Sequence, residues 1–144
     1  MSFLDSMSIS ASALTATRLR MDVIAENMAN SNTTRTENGD PYRRKYVVFQ
    51  EKTDDRAFAE FFNRAKTTQG GVRVLRIGTD MSEFKYDYNP SHPDADENGY
   101  VRLPNVEVVQ EMVDMMSAYR AYEANITALN AFKDMAVKTL EIGK

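Results

Sequence analysis

Residues 105–142 decide the fold, and they read NVEVVQEMVDMMSAYRAYEANITALNAFKDMAVKTLEI. Apolar and aromatic side chains recur here every seven residues in two neighbouring rows, with no glycine or proline to break a helix. One row is Met112, Tyr119, Ile126 and Leu140, and the row beside it is Met115, Tyr122, Leu129 and Ala136. A helix with such a stripe must bury it against other helices. The pattern predicts a helix that begins at Asn105 as its N-cap and runs to about Ile142.

The opposite end of the chain carries a second heptad pattern. Met7, Leu14, Met21 and Met28 recur every seven residues, and Ile24 fills the same stripe. We predict a helix from residue 2 to about residue 31. It should end in the Asn- and Thr-rich cluster at residues 30–34, because such side chains compete for backbone hydrogen bonds and favour caps and turns.

Two arrangements of these helices are consistent with their stripes. In the first, the helices form an antiparallel hairpin within one monomer and cover each other. In the second, they belong to a helical layer shared among many subunits. The second arrangement is favoured because Met116, Phe132 and Val137 widen the C-terminal stripe beyond what one partner helix can cover. Methionine is also frequent in both stripes, and its flexible side chain adapts to varied neighbours.

The middle of the chain, residues 35–104, has the pattern of short strands. Alternating or β-branched stretches lie at residues 42–50, 72–77, 84–88 and 100–103. We expect the second and third to pair as a hairpin around residues 79–82. Between the first two, residues 51–69 read as a variable insertion in which Asp54 could cap a short helix. The predicted fold class is α+β, with terminal helices in residues 1–34 and 105–144 forming a coiled-coil-like inner layer beside a small, mainly β middle domain.

Composition excludes several classes of protein. The net charge is −3 and there is no cysteine. The acidic balance argues against a nucleic-acid-binding protein, which would show a basic face, and the lack of cysteine excludes disulfides and Cys-based metal sites. No apolar run approaches the roughly 18 to 20 residues that cross a bilayer. A cleavable signal peptide is not expected either, because Asp5 interrupts the first residues and no basic residue precedes Arg18.

Candidate chemical sites are few. Residues 94–99, DADENG, match the first half of a calcium-binding EF-hand loop, but Asn105 stands where the closing glutamate is needed. His92 is the only histidine, so a zinc site is not expected. The basic cluster Arg43, Arg44 and Lys45 is interpreted as a solvated strand edge. We predict no catalytic residue, no metal site and no cofactor, while a calcium-regulated binding module stays an alternative to be tested.

Particular motifs at both ends say more than periodicity does. Residues 24–36, IAENMANSNTTRT, resemble the N-terminal signature of the bacterial flagellar rod and hook proteins, and residues 104–125 resemble the matching C-terminal signature. The middle stretches 41–50 and 98–106 are similar to those of proximal rod members of that family. The resemblance covers nearly the whole chain. The positions that carry the two signatures are Asn27, Ala29, Asn30, Thr33, Asn105, Val106, Glu111, Met112, Tyr122, Glu123 and Asn125.

The resemblance implies a structural subunit of the flagellar basal-body rod, which transmits torque from motor to hook. It implies export without a cleaved signal peptide through the flagellar type III apparatus, and assembly in the periplasm. The expected partners are the chain itself, other rod proteins and the junction protein at the membrane (MS) ring, with no nucleic acid and no membrane insertion. A soluble helical-hairpin adaptor that binds an amphipathic partner helix is the alternative. The predicted subunit-interface residues are Met7, Leu14, Met21, Ile24, Met28, Met112, Met115, Met116, Tyr119, Tyr122, Ile126, Leu129, Phe132 and Leu140.

Overall fold

A computed structural model describes residues 3–52 and 70–142. Helix α1 spans Phe3–Ala29, followed by strands β1 (Lys45–Glu51), β2 (Val72–Thr79), β3 (Lys85–Tyr88) and β4 (Tyr100–Leu103), and then by helix α2 (Val108–Ile142). The order of two long helices around a small β region confirms the predicted α+β class. The short helix predicted after Asp54 lies outside the described residues.

The two helices pack against each other in antiparallel orientation. Asn27, near the end of α1, contacts Glu111, near the beginning of α2, and the packed positions continue back to Ser10 in α1. Covered positions along α2 alternate in steps of four and three residues, the spacing of a coiled-coil seam. They are Glu111, Met115, Ala118, Tyr122, Asn125, Leu129, Phe132 and Ala136.

One of the two predicted rows of α2 lies in this seam, and the second row of the seam is not the one predicted. The row that contains Met115 and Tyr122 lies in the seam, but its neighbour there is the row that begins with Glu111 and Ala118. In the row predicted beside it, which lies further round the helix, Met112, Tyr119 and Leu140 are exposed and Ile126 is half-buried. A single partner helix therefore covers only part of the stripe of α2.

The strands form two separate antiparallel pairs. In the first sheet β1 pairs with β2, with Lys45 opposite Thr79 and a bulge between Val48 and Phe49. In the second sheet β3 pairs with β4, with Lys85 opposite Leu103. The predicted hairpin between β2 and β3 is wrong. After β2 the chain turns at Asp80, whose amide donates to the Arg44 carbonyl at 2.8 Å, and this bond directs β3 away towards β4.

The core is small and lies where the middle region meets the helices. Its buried apolar residues are Ala16, Val23, Ile24, Tyr42, Val101, Val106 and Ala118. The largest fully buried side chains are those of Glu111, Asn27 and Pro104, so two of these three are polar. All four residues of β3 are exposed. A two-stranded sheet is marginal alone in water, so both sheets depend on their packing against the helices.

The helix ends differ from the sequence prediction. Helix α1 ends at Ala29, and α2 begins at Val108, three residues after the predicted N-cap. Asn105 does not cap the helix. Its Oδ1 accepts a hydrogen bond from the Arg44 amide at 2.8 Å, and its Nδ2 donates to the Asp80 carbonyl at 3.1 Å. Tertiary hydrogen bonds thus use the side chain that local sequence assigns to the cap.

Candidate functional site

A buried polar cluster joins α1, the beginning of β1 and the beginning of α2. The side chain of Glu111 has 0 % exposure and that of Asn27 has 1 %. The Nε of Arg44 donates to Oε1 of Glu111 at 2.6 Å, and Nδ2 of Asn27 donates to Oε2 of Glu111 at 3.0 Å. We call Asn27, Arg44 and Glu111 the polar clasp, because together they connect three segments that are far apart in sequence.

Asn27 uses its full hydrogen-bonding capacity in the clasp. Its Oδ1 accepts from the Lys45 amide and from the Tyr42 hydroxyl, both at 2.9 Å. Its Nδ2 donates to the Lys45 carbonyl at 2.8 Å as well as to Glu111. A side-chain amide offers two donors and two acceptor lone pairs, so all four are satisfied. Asn27 therefore bonds like an extra strand residue beside Lys45, which anchors β1 to the end of α1.

The cation beside the buried carboxylate is Arg44. Arg44 also faces Asp114, with 3.6 Å between its guanidinium and that carboxylate. Tyr42 lies on the other side, where burial, with the negative charges of Glu26 and Glu111 adding to it, raises the pKa of its phenol to about 12. Its hydroxyl consequently stays protonated and donates to Asn27. Every buried polar side-chain atom of the described residues has a hydrogen-bond partner, as stable burial requires.

The basic cluster at residues 43–45 is not a solvated strand edge, and that interpretation is wrong. Arg44 pairs with Glu111, and Lys45 pairs with Glu26 of α1 at 2.5 Å. The guanidinium of Arg43 lies 4.1 Å from the centre of the Phe84 ring, in cation–π geometry. Each of the three cations therefore ties β1 to a different neighbour, which a local pattern cannot reveal.

A second feature is an exposed apolar surface on the side of α2 that faces away from α1. We call it the outer patch, and it consists of Val109, Met112, Val113, Met116 and Tyr119. Their exposed fractions run from 48 % for Met112 to 68 % for Val109. At 100° per residue these side chains share one flank of the helix. Val109 and Val113 were not among the predicted interface residues, although their helical positions beside Met112 and Met116 could have indicated them.

The other predicted interface residues divide by their burial. Ile24 is buried, and Leu140, near the end of α2, is exposed. The remaining ones are half-buried, since each lies at the contact between the helices or at its margin. They are Met7, Leu14, Met21, Met28, Met115, Tyr122, Ile126, Leu129 and Phe132. The exposed side of α1 bears both small and charged residues, which are Ser8, Ala11, Thr15, Arg18, Asp22, Ala25, Glu26 and Ala29.

The signature positions outside the clasp have structural roles around the helix ends. Asn30 and Thr33 form the turn that ends α1, in which the Thr33 hydroxyl donates to Oδ1 of Asn30 at 3.1 Å. The Thr33 carbonyl then accepts from the Tyr42 amide at 3.1 Å. Val106 is buried before α2, and Asn125 donates to the Ala121 carbonyl at 2.7 Å within it. Glu123 is exposed.

The acidic loop at residues 94–99 is engaged with its own surroundings. The Thr34 hydroxyl donates to Oδ2 of Asp94 at 2.8 Å, and Oδ1 of Asp96 accepts from the amides of Asn98 and Tyr100. In the part of the chain that the structure describes, no group of three or more acidic, histidine or cysteine side chains could hold a metal ion. Among the helices of residues 3–52 and 70–142, none is long and apolar enough to cross a membrane.

Comparisons with known proteins agree with this arrangement. Residues 7–35 match the family described as flagella basal body rod protein, and residues 97–142 match the C-terminal family of the flagellar basal body rod FlgEFG proteins. The flagellar basal-body rod protein FlgC of Bacillus subtilis is 49 % identical, with 96 % of this chain and 97 % of that protein covered. This chain belongs to the FlgC family.

Other FlgC proteins support the same assignment. The FlgC of Borreliella burgdorferi is 44 % identical over 99 % of this chain and 98 % of its own length. The FlgC of Salmonella typhimurium is 43 % identical with both chains covered completely. The relatives do not favour the alternative of a helical-hairpin adaptor. The two family matches between them contain α1 from residue 7 onward, all of α2, and two members of the polar clasp, Asn27 and Glu111.

Proposed function

We propose that this chain is a structural subunit of the flagellar basal-body rod and that it assembles through the outer patch of α2. The FlgC relatives, which are named as basal-body rod proteins, support the first part. The second part is supported by the contrast between the two sides of α2. One side is covered by α1, whereas the other presents Val109, Met112 and Met116 to water. Contiguous exposed apolar surface of this kind marks an interaction site.

The opposite side of the helix pair suggests how a neighbour is received. The exposed face of α1 has small side chains near both of its ends, among them Ala11 and Ala25, with the charged Arg18 and Asp22 between them. Large side chains of a neighbouring helix pack closely where the facing side chains are small, because interiors reach a high packing density by such interdigitation. A layer of helices in which the outer patch of one subunit meets α1 of the next would remove the large apolar side chains of the outer patch from water.

The family relationship extends the proposal to location and partners. The chain would be exported through the flagellar type III apparatus without a cleaved signal peptide, and it would polymerise in the periplasm with other rod proteins. The junction protein at the membrane (MS) ring would be a further neighbour. The role of this chain would be mechanical, the transmission of torque from motor to hook, without catalysis. Packed helix interfaces suit that role because close-packed interiors resist deformation.

Paired substitutions on α2 test the proposed surface. Met116→Asp places a charge in the centre of the outer patch, whereas Ser117→Asp places the same charge at the next exposed position of the same helix. We expect Met116→Asp to abolish motility and to remove the protein from purified basal bodies, because an unpaired charge in a buried interface is strongly unfavourable. Ser117→Asp should assemble. Circular dichroism should show equal helicity in both purified variants, and normal rods with Met116→Asp would refute the assignment of this surface.

A further inference from the structure

The apolar contacts between α1 and α2 do not by themselves define one alignment. The seam of α2 repeats every seven residues, so that Met115, Tyr122 and Leu129 are equivalent positions along it. On the facing side of α1, the buried Ala16 lies seven residues before the buried Val23, and the half-buried Met7, Leu14, Met21 and Met28 form a heptad row beside them. A shift of α2 by one heptad along α1, about 10.5 Å, would place apolar residues opposite apolar residues again.

The polar clasp is the element of the seam that such a shift cannot reproduce. Seven residues after Glu111 the seam position is Ala118, which offers no acceptor to Arg44 or Asn27. A shifted chain would thus lose the contacts of 2.6 Å and 3.0 Å on which the Glu111 carboxylate depends. Removing one partner of a buried pair is far more unfavourable than replacing the whole pair by apolar groups.

We propose that the polar clasp sets the register of the two helices. Its main contribution is the choice of one alignment rather than total stability, in the way that a single buried polar residue fixes the alignment of a coiled coil. Arg44 also fixes the position of the first sheet relative to the helices. It directly precedes β1, and its amide donates a hydrogen bond to Oδ1 of Asn105. The inference concerns a single chain and holds whatever the outer patch contacts.

The consequence for assembly follows from geometry. The outer patch lies on α2, while the face that would receive it lies on α1. The relative position of these two surfaces along the helix axes is therefore fixed only when the register is fixed. Subunits in two registers would present the patch at heights that differ by about 10.5 Å. A regular polymer needs every copy to present its surfaces in the same place.

Distance measurements between spin labels test the proposal. The chain has no cysteine, so Asp22→Cys and Glu123→Cys, both exposed on their helices, provide two labelling sites without background. The unaltered clasp should give a single distance population. In the double variant Arg44→Met with Glu111→Leu we expect helicity and melting temperature to be kept, but a second distance population to appear. Glu111→Gln, which keeps the size and one of the two acceptor oxygens, should keep the single population.

The outcomes separate a register function from simple stabilisation. A single, unchanged distance population in a folded double variant would overturn the proposal. Loss of helicity in the double variant would also overturn it, since the clasp would then act through stability. Asp114→Asn serves as the control, because it removes the more distant carboxylate that faces Arg44 and should leave the distances unchanged. The measurement uses the monomeric full chain, so a failure of the outer patch to mediate assembly would not affect it.

Discussion

The substitution Glu111→Ala tests how strongly the polar clasp holds the fold. It removes the acceptor of the 2.6 Å bond from Arg44 and of the 3.0 Å bond from Asn27. Breaking a buried ion pair by removing one partner costs about 3 to 5 kcal/mol. The side chain of Arg44 is 26 % exposed and keeps Asp114 at 3.6 Å, while Asn27 keeps its bond to the Lys45 carbonyl. Both factors place the expected loss at the lower end of that range, about 3 kcal/mol.

A loss of that size is large for a small chain. Domains are stable by about 5 to 15 kcal/mol, and about 3 kcal/mol lowers the ratio of folded to unfolded molecules by roughly 100-fold. Urea denaturation of the purified full chain, followed by circular dichroism, measures the free energy of unfolding directly. Asp114→Ala is the matched control, since this more exposed carboxylate should contribute less than about 1 kcal/mol. If Glu111→Ala lost no more stability than Asp114→Ala, leaving Arg44 and Asn27 without the Glu111 carboxylate would not carry the penalty that the burial of this cluster indicates.

Further predictions concern alkaline pH, a glycine turn and the middle region. Burial raises the pKa of Tyr42 from 10.0 to about 12. The protonated phenol should therefore contribute to the free energy of unfolding in full below pH 10, and this contribution should disappear as the pH rises through 12. In Tyr42→Phe, the free energy of unfolding should lack this decrease at alkaline pH. Gly99→Ala should lower the free energy of unfolding by about 1 to 2 kcal/mol, because the backbone at residue 99 is left-handed. A further loss is expected because the added Cβ would lie 3.0 Å from the Tyr88 ring. Gly39→Ala has the same strain with open space around it, so equal losses in thermal melts would exclude the clash. A fragment of residues 35–104 lacks two members of the clasp and should give an unfolded spectrum by circular dichroism; a cooperative melt of the fragment would contradict this.

Heptad spacing predicted the two helices well because their burial follows helical period directly. It could not say which of two adjacent rows faces the partner helix, since both Met112 and Met115 are apolar. The deciding residue is Glu111, whose charge argues against burial until Arg44 is known to lie beside it. Sequence patterns therefore predict the apolar stripe of α2. The side of α2 that packs against α1, however, depends on the contact between Arg44 and Glu111, which are 67 residues apart in the chain.

Strand pairing could be predicted even less. Each strand was recognised from β-branched and aromatic residues, yet the partner of β2 is β1, which lies before the long segment at 51–69. The short connection at residues 79–82 favoured β3 instead, because hairpin loops are usually short. What overrides it is a pair of hydrogen bonds at Asp80, whose amide donates to the Arg44 carbonyl and whose carbonyl accepts from Nδ2 of Asn105. The same bonds take Asn105 away from the helix cap, so one tertiary contact explains two incorrect predictions.

The composition of the core connects the clasp with assembly. Apolar burial stabilises a chain in proportion to the area removed from water, and here the apolar core is small while Met112, Met116 and Tyr119 remain exposed. Much of the apolar surface that could stabilise this chain is therefore available only to a neighbouring subunit. Burial in a polymer then stabilises the folded subunit by mass action. A polar clasp suits such a chain, because it selects one conformation for assembly without requiring the single subunit to be very stable.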